Sequence, residues 1–187
     1  MGKIEQFSLP IPFPQSPRKI WVYLPDSYEH TRKKYDVLYM FDGHNLFYDE
    51  IATYGKSWGL KKYLDAYPPV TTHLEDLPKI RAEGKRTADW IVHSLKPAIE
   101  NRYRVYSDRK HVGIAGSSMG GLMSEYMITA YNDIFSKAGC ISPSTHFCFD
   151  DLKELIEKTT FHKDTWIYID QGSQEVHGKR LFIDAMD

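Results

Sequence analysis

The stretch "GIAGSSMGG", Gly113 to Gly121, decides how this chain is read. Within it, Gly116-Ser117-Ser118-Met119-Gly120 spells G-x-S-x-G. A buried-strand pattern, "HVGIA" (His111 to Ala115), precedes it, and a helix-forming run, "MGGLMSEYMITAY", follows from Met119 to Tyr131. Strand, tight turn and helix form the context in which this spelling lifts a serine off the end of a strand. Gly116 and Gly120 leave room for close backbone approach. The Met119 N–H, at the helix start, can face a developing negative charge. Serine alone is a weak nucleophile, so Ser118 needs a base, usually histidine, and a third group to hold it. The plain alternative is a Gly/Ser-rich helix cap without chemistry.

Working outward, Lys3–Leu9 and Arg18–Leu24 read as strands joined by a proline-rich turn. Alternation in "IWVYL" is poor, which predicts that at least part of it is buried on both faces. Tyr35–Phe41 is a third run of β-formers, ending at "DGHN". Trp58–Tyr67 predicts a short helix stopped by Pro68-Pro69, and Thr71–Pro78 reads as irregular. Ala88, Ile91, Val92, Leu95 and Ile99 mark the apolar face of a helix over Gly84–Arg102, with a kink expected at Pro97. "KAGCIS" and Thr165–Asp170 are further strands. Between them Asp150–Lys158 is a helix with Asp150 or Asp151 as N-cap, and a last helix starts at Gly178.

Strands followed by strand–helix alternation predict an α/β fold with a mostly parallel sheet covered on both faces. In such folds chemistry gathers at the carboxyl ends of the strands. The polar loops "DGHN", "GSSMGG", "SPSTH" and "DQGSQE" all fall there.

The 187 residues suit one domain, and a composition of 42% hydrophobic and 26% charged residues is ordinary for a globular protein. A formal net charge of −1 gives no argument for nucleic acid or an anionic membrane as partner. No secretory leader or membrane span is read in the sequence, so a cytoplasmic location is expected. Cys140 and Cys148 are expected as free thiols, Cys140 buried. His73, His93, His111 and His162 show no metal spacing, and no metal is expected.

Four blocks in order, "YDVLYMFDGHNLFYDE", "LKPAIENRYRV…DRKHVGIAGSSMGGLMSEYM", "FSKAGCISPS" and "IYIDQGSQE", resemble the putative-esterase family of the α/β-hydrolase superfamily, which includes relatives of esterase D, feruloyl esterases and enterochelin esterases. The resemblance runs from about Trp21 to Glu175. It implies an α/β-hydrolase fold, a serine nucleophile, no cofactor, and hydrolysis of small-molecule carboxylic esters through an acyl-enzyme. By resemblance Ser118 is the nucleophile and the Met119 N–H is half of the oxyanion hole. "DGHN" supplies the other half through the backbone of His44, where the family commonly has glutamine. Glu175 is preferred to Asp170 as the acid that holds the histidine. Trp58, His146 and Phe147 are candidates for the substrate pocket, against the plainer reading of core or rim packing.

Two departures from the family accompany the resemblance. Its chain order is serine, acid, histidine, and His177 alone lies beyond Glu175, so close that it must reach back along the same loop. "PPVTTHLEDLPK" also lacks an apolar run long enough for a buried strand. The resulting expectation is a single α/β-hydrolase domain over 1–187, short at its C-terminal end, lacking an internal strand and the last strand and helix. Two rivals to the esterase follow: a catalytically silent hydrolase-fold binding protein without its histidine, and a homo-oligomer in which one chain completes another's site.

Overall fold

The computed structural model describes residues 1–11, 17–66 and 84–172, together with the main chain of 70–74. The chain divides into two compact units, Met1–Val112 and Gly113–Asp187.

The first unit begins with the hairpin predicted from sequence. β1 (Lys3–Leu9) pairs antiparallel with β2 (Arg18–Leu24), Lys3 opposite Leu24 and Leu9 opposite Arg18. Ile20 through Leu24 are all buried, as the broken alternation predicted. After a single turn, α1 (Ser27–His30), comes β3 (Val37–Met40), shorter at both ends than the predicted run. Tyr35 still makes a parallel bridge to Val105. α2 (Leu60–Ala66) starts later than predicted because Gly59 has φ 63°, outside the helical range, and leaves Trp58 out of the helix.

β4 (Val70–Leu74) corrects the expectation of a missing internal strand. It pairs antiparallel with β2, Ile20 opposite Leu74, and parallel with β3, Val37 opposite Val70. An interior strand is held by its backbone ladder on both sides, and Val and Thr favour the extended conformation without an apolar run.

The helix predicted over 84–102 is present as α3 (Gly84–Trp90), a π-helical turn (Ile91–Leu95) and α4 (Lys96–Arg102). Its predicted apolar face is buried, with Ala88, Ile91, Leu95 and Ile99 fully so. Pro97 lies in the first turn of α4. The wider π turn just before it removes the clash that a proline ring would make in a regular helix.

The described residues of the second unit form two successive strand–helix–strand repeats. β5 (Val112–Ser117, its first residue shared with the first unit) leads to α5 (Met119–Ala130) and β6 (Lys137–Ile141). α6 (Phe149–Lys158) then leads to β7 (Trp166–Asp170). β6 pairs parallel with both β5 and β7. α6 begins at Phe149 with Cys148 at its cap, so Asp150 and Asp151 lie in its first turn, where their charge meets the positive helix end. The parallel sheet and flanking helices are those of an α/β fold. No helix among the described residues is long and apolar enough to cross a membrane.

Candidate functional site

β5 is buried along Val112–Gly116 and emerges at Ser117, and α5 starts at Met119. Between them Ser118 takes the whole change of direction in one residue, at φ 53° and ψ −118°. L-residues adopt a positive φ of this kind only at a cost. A Cβ on Gly116 would stand 2.6 Å from the carbonyl carbon and oxygen of Gly120, so no side chain fits there. A Cβ on Gly121 would meet the Ile141 carbonyl oxygen and Pro143 Cα at 3.0 Å each. The glycines of the motif therefore allow the turn to close and let the loop after β6 lie against the helix start.

That loop holds Ser118 at three points. The Ser118 N–H donates to the Ile141 carbonyl (2.9 Å), and the Ser144 N–H donates to the Ser118 carbonyl (3.0 Å). The two hydroxyls, Ser118 Oγ and Ser144 Oγ, are 3.1 Å apart. Ser118 is exposed. Sequence reading marked "SPSTH" as a polar strand end but did not single out Ser144. The two serines lie 26 residues apart, and no spacing rule links them.

Asp170, at the end of β7, has both carboxylate oxygens engaged. Oδ1 accepts from the Ser142 N–H (3.0 Å) and Oδ2 from the Tyr168 hydroxyl (3.0 Å). It thereby fixes Ser142, itself at φ 43°, beside the elbow. Glu175 and His177, the expected acid and candidate base, lie outside the described residues.

In the first unit, Asp42 adopts a left-handed conformation (φ 60°) and leads into a single 3-10 turn, Gly43–Asn45. His44 Nε2 lies 2.7 Å from Thr53 Oγ1, an alignment that sequence reading did not anticipate. Trp58 is partly exposed, and its N–H donates to the Asn45 carbonyl at 2.8 Å, tying it to the same loop. In the second unit His146 is exposed, its ring 4.2 Å from that of the equally exposed Phe147. Both rings sit at the surface and outside the core.

Two histidines pair with carboxylates elsewhere. His111 Nδ1 lies 2.8 Å from Asp108, and His162 Nε2 lies 2.6 Å from Asp133. His111 immediately precedes β5, and His162 precedes β7, so each stands at the amino end of a strand, opposite to the end that carries the loops around Ser118. Among the described residues no group of three or more His, Cys, Asp or Glu could hold a metal. Cys140 and Cys148 are free thiols. Burial, with Glu125 nearby, pushes the Cys140 thiol up to about 12, which leaves it protonated and inert.

A strained, exposed serine between a buried parallel strand and a helix, gripped by the polar loop that follows the next parallel strand, fits the α/β-hydrolase type of fold. The family model described as "Putative esterase" matches residues 12–185, and the chain belongs to that family. Its members are carboxylic-ester hydrolases by class, and that is the class of enzyme to which the chain belongs. It is similar to a protein named YbbA and described as uncharacterized, from Bacillus subtilis strain 168, at 26% identity over 87% of this chain and 71% of that one. Among solved structures it resembles a ferulic acid esterase, with TM-score 0.61, 23% identity, and coverage of 84% of this chain and 69% of that one. It also resembles the feruloyl esterase module from Clostridium thermocellum, in a serine-to-alanine form complexed with sinapinate. There the TM-score is 0.68 at 18% identity, over 92% of this chain and 67% of that one.

Proposed function

We propose that this protein is a serine esterase, one hydrolase domain that cleaves small carboxylic esters through an acyl-enzyme on Ser118. The observation that carries the reading is the backbone of Ser118. A conformation of this kind costs about 1–3 kcal/mol, and such strain persists mostly where a side chain must be presented. Here the side chain presented is an exposed hydroxyl.

In this reading Ser118 Oγ attacks the ester carbonyl and its proton passes to a histidine. The Met119 N–H, one of the unsatisfied donors at the start of α5, faces the oxyanion, with the backbone at His44 as the second donor. Glu175 orients the base, for which His177 is this chain's candidate, and stabilises the imidazolium. The alcohol leaves with the histidine's proton. Water, activated by the same base, then releases the acid. Trp58 and His146 flank the acyl or alcohol group. The similar structures named for ferulic and feruloyl esters make aromatic acyl esters the first substrates to try. No cofactor enters the scheme, and the near-neutral charge suits a small ester, with neither nucleic acid nor membrane as partner; a cytoplasmic location belongs to the same proposal.

The test is intact mass after treatment with a fluorophosphonate probe, with Ser118→Ala as control. A single adduct that the variant lacks is the expected result. No adduct on the folded protein would instead make it a silent binding protein of the same fold. Labelling that rises with protein concentration would point to a base supplied by a second copy.

A further inference from the structure

The carboxyl of Glu125 has no part in the scheme above, yet it sits in the core. Glu125 lies in α5, two turns beyond the serine that precedes the helix, and is 8% exposed. Among the described residues it forms no ion pair. Its hydrogen-bond partner is the Thr145 hydroxyl, which donates to Oε2 at 2.7 Å. The other titratable groups near it are the thiols of Cys140 and Cys148. An isolated buried carboxylate is costly, and an apolar side chain of the same size would pack there without that cost. What the carboxylate holds in return is the segment that grips the elbow.

That segment is tethered position by position. The Ile141 carbonyl and Ser144 bind Ser118, Ser142 is held by Asp170, and Thr145 is held by Glu125. Thr145 directly follows the serine whose hydroxyl meets Ser118 Oγ. Because Glu125 lies in the helix that begins directly after Ser118, the Thr145 anchor references Ser144 to the frame that carries Ser118. We infer that Glu125 is a positioning residue for Ser118: through Thr145 it fixes the Ser144 hydroxyl and so sets the side-chain orientation from which Ser118 attacks. The inference rests on Ser118 being the nucleophile.

The test compares Glu125→Met, which removes the acceptor while keeping the size, with Glu125→Gln, which keeps an acceptor, and Thr145→Val, which removes the donor. The readouts are the fluorophosphonate labelling rate, kcat and KM on a p-nitrophenyl ester, and Tm. Glu125→Met and Thr145→Val should each lower labelling rate and kcat by about tenfold, with KM within about twofold, since misplacing a reacting group costs rate more than binding. The double variant should be no worse than either single one, as expected of one shared interaction. Glu125→Gln should stay near wild type, and Tm of Glu125→Met should not fall. Wild-type labelling in Glu125→Met, or an equal loss in Glu125→Gln, would overturn the inference. Should Glu125→Met fail to fold, Thr145→Val, at a half-buried position, carries the test alone. Turnover retained by Ser118→Ala would remove the nucleophile reading itself. An inert Ser118→Ala beside wild-type rates in the other variants would remove only the role of Glu125.

Discussion

At Ser118 strain and chemistry can be separated by substitution. Elsewhere a glycine is usually less stable than an alanine, because it has more freedom to lose on folding. At φ 53° and ψ −118° the order should invert, with Ser118→Gly more stable than Ser118→Ala by about 1 kcal/mol in urea unfolding. Equal stabilities would mean that the turn is not strained. Glu125 offers a second test. Burial raises its carboxyl from 4.5 to about 6, against the Thr145 hydrogen bond that acts to lower it. The folded state therefore holds this proton more tightly than the unfolded state. Its contribution to stability is fully present below pH 4.5 and is lost as pH rises through 6, about 2 kcal/mol in all. Glu125→Gln should match wild type near pH 4 and exceed it at pH 8, and an unchanged gap between the two pH values would refute the assignment. Ser118 was legible in the sequence because its neighbours are local. Ser144, Thr145 and Glu125 were not, because their contacts join residues 20 or more positions apart.

Among the elements, the strand–turn–helix at 112–130 follows its sequence pattern closely, since buried strand, glycines and helix formers agree with one another. β4 was missed for the opposite reason. Its sequence lacks the apolar run used to find strands, and only pairing with β2 and β3 gives it a place. Where a kink was expected at Pro97 there is a π turn that ends two residues upstream, at Leu95. At the end of β7, Asp170 spends both oxygens on Ser142 and Tyr168, which suits a loop anchor better than the acid of a triad. Asp170→Asn should therefore lower kcat by less than about tenfold, whereas Glu175→Gln should lower it by about 10³–10⁴, the loss expected when a histidine loses its orienting acid. The reverse order of losses would make Asp170 the acid.

For the molecule as a whole, the two compact units pose the question of cooperativity. If the chain is one hydrolase domain, unfolding in urea should give coincident midpoints by far-UV circular dichroism and by tryptophan fluorescence. Trp21, Trp58 and Trp90 lie in the first unit and Trp166 in the second, so fluorescence weights the first unit, while strands and helices of both units contribute to the dichroism. Separated midpoints would make the units independent domains. With a net charge of −1, steering of a neutral ester should be slight, so ionic strength should leave kcat/KM unchanged.

Local sequence pattern suffices for an α/β alternation, for the buried face of the helix over 84–102, and for a serine at a strand-to-helix turn. Each depends on residues within a few positions of one another. Tertiary structure alone decided the partners of that serine. It brought the loop after β6 onto the start of α5, placed Ser144 against Ser118 and Thr145 against Glu125, and gave β4 its two neighbours. Those contacts are made by chain segments that meet only when the sheet assembles, and their hydrogen bonds leave no periodic trace in the sequence.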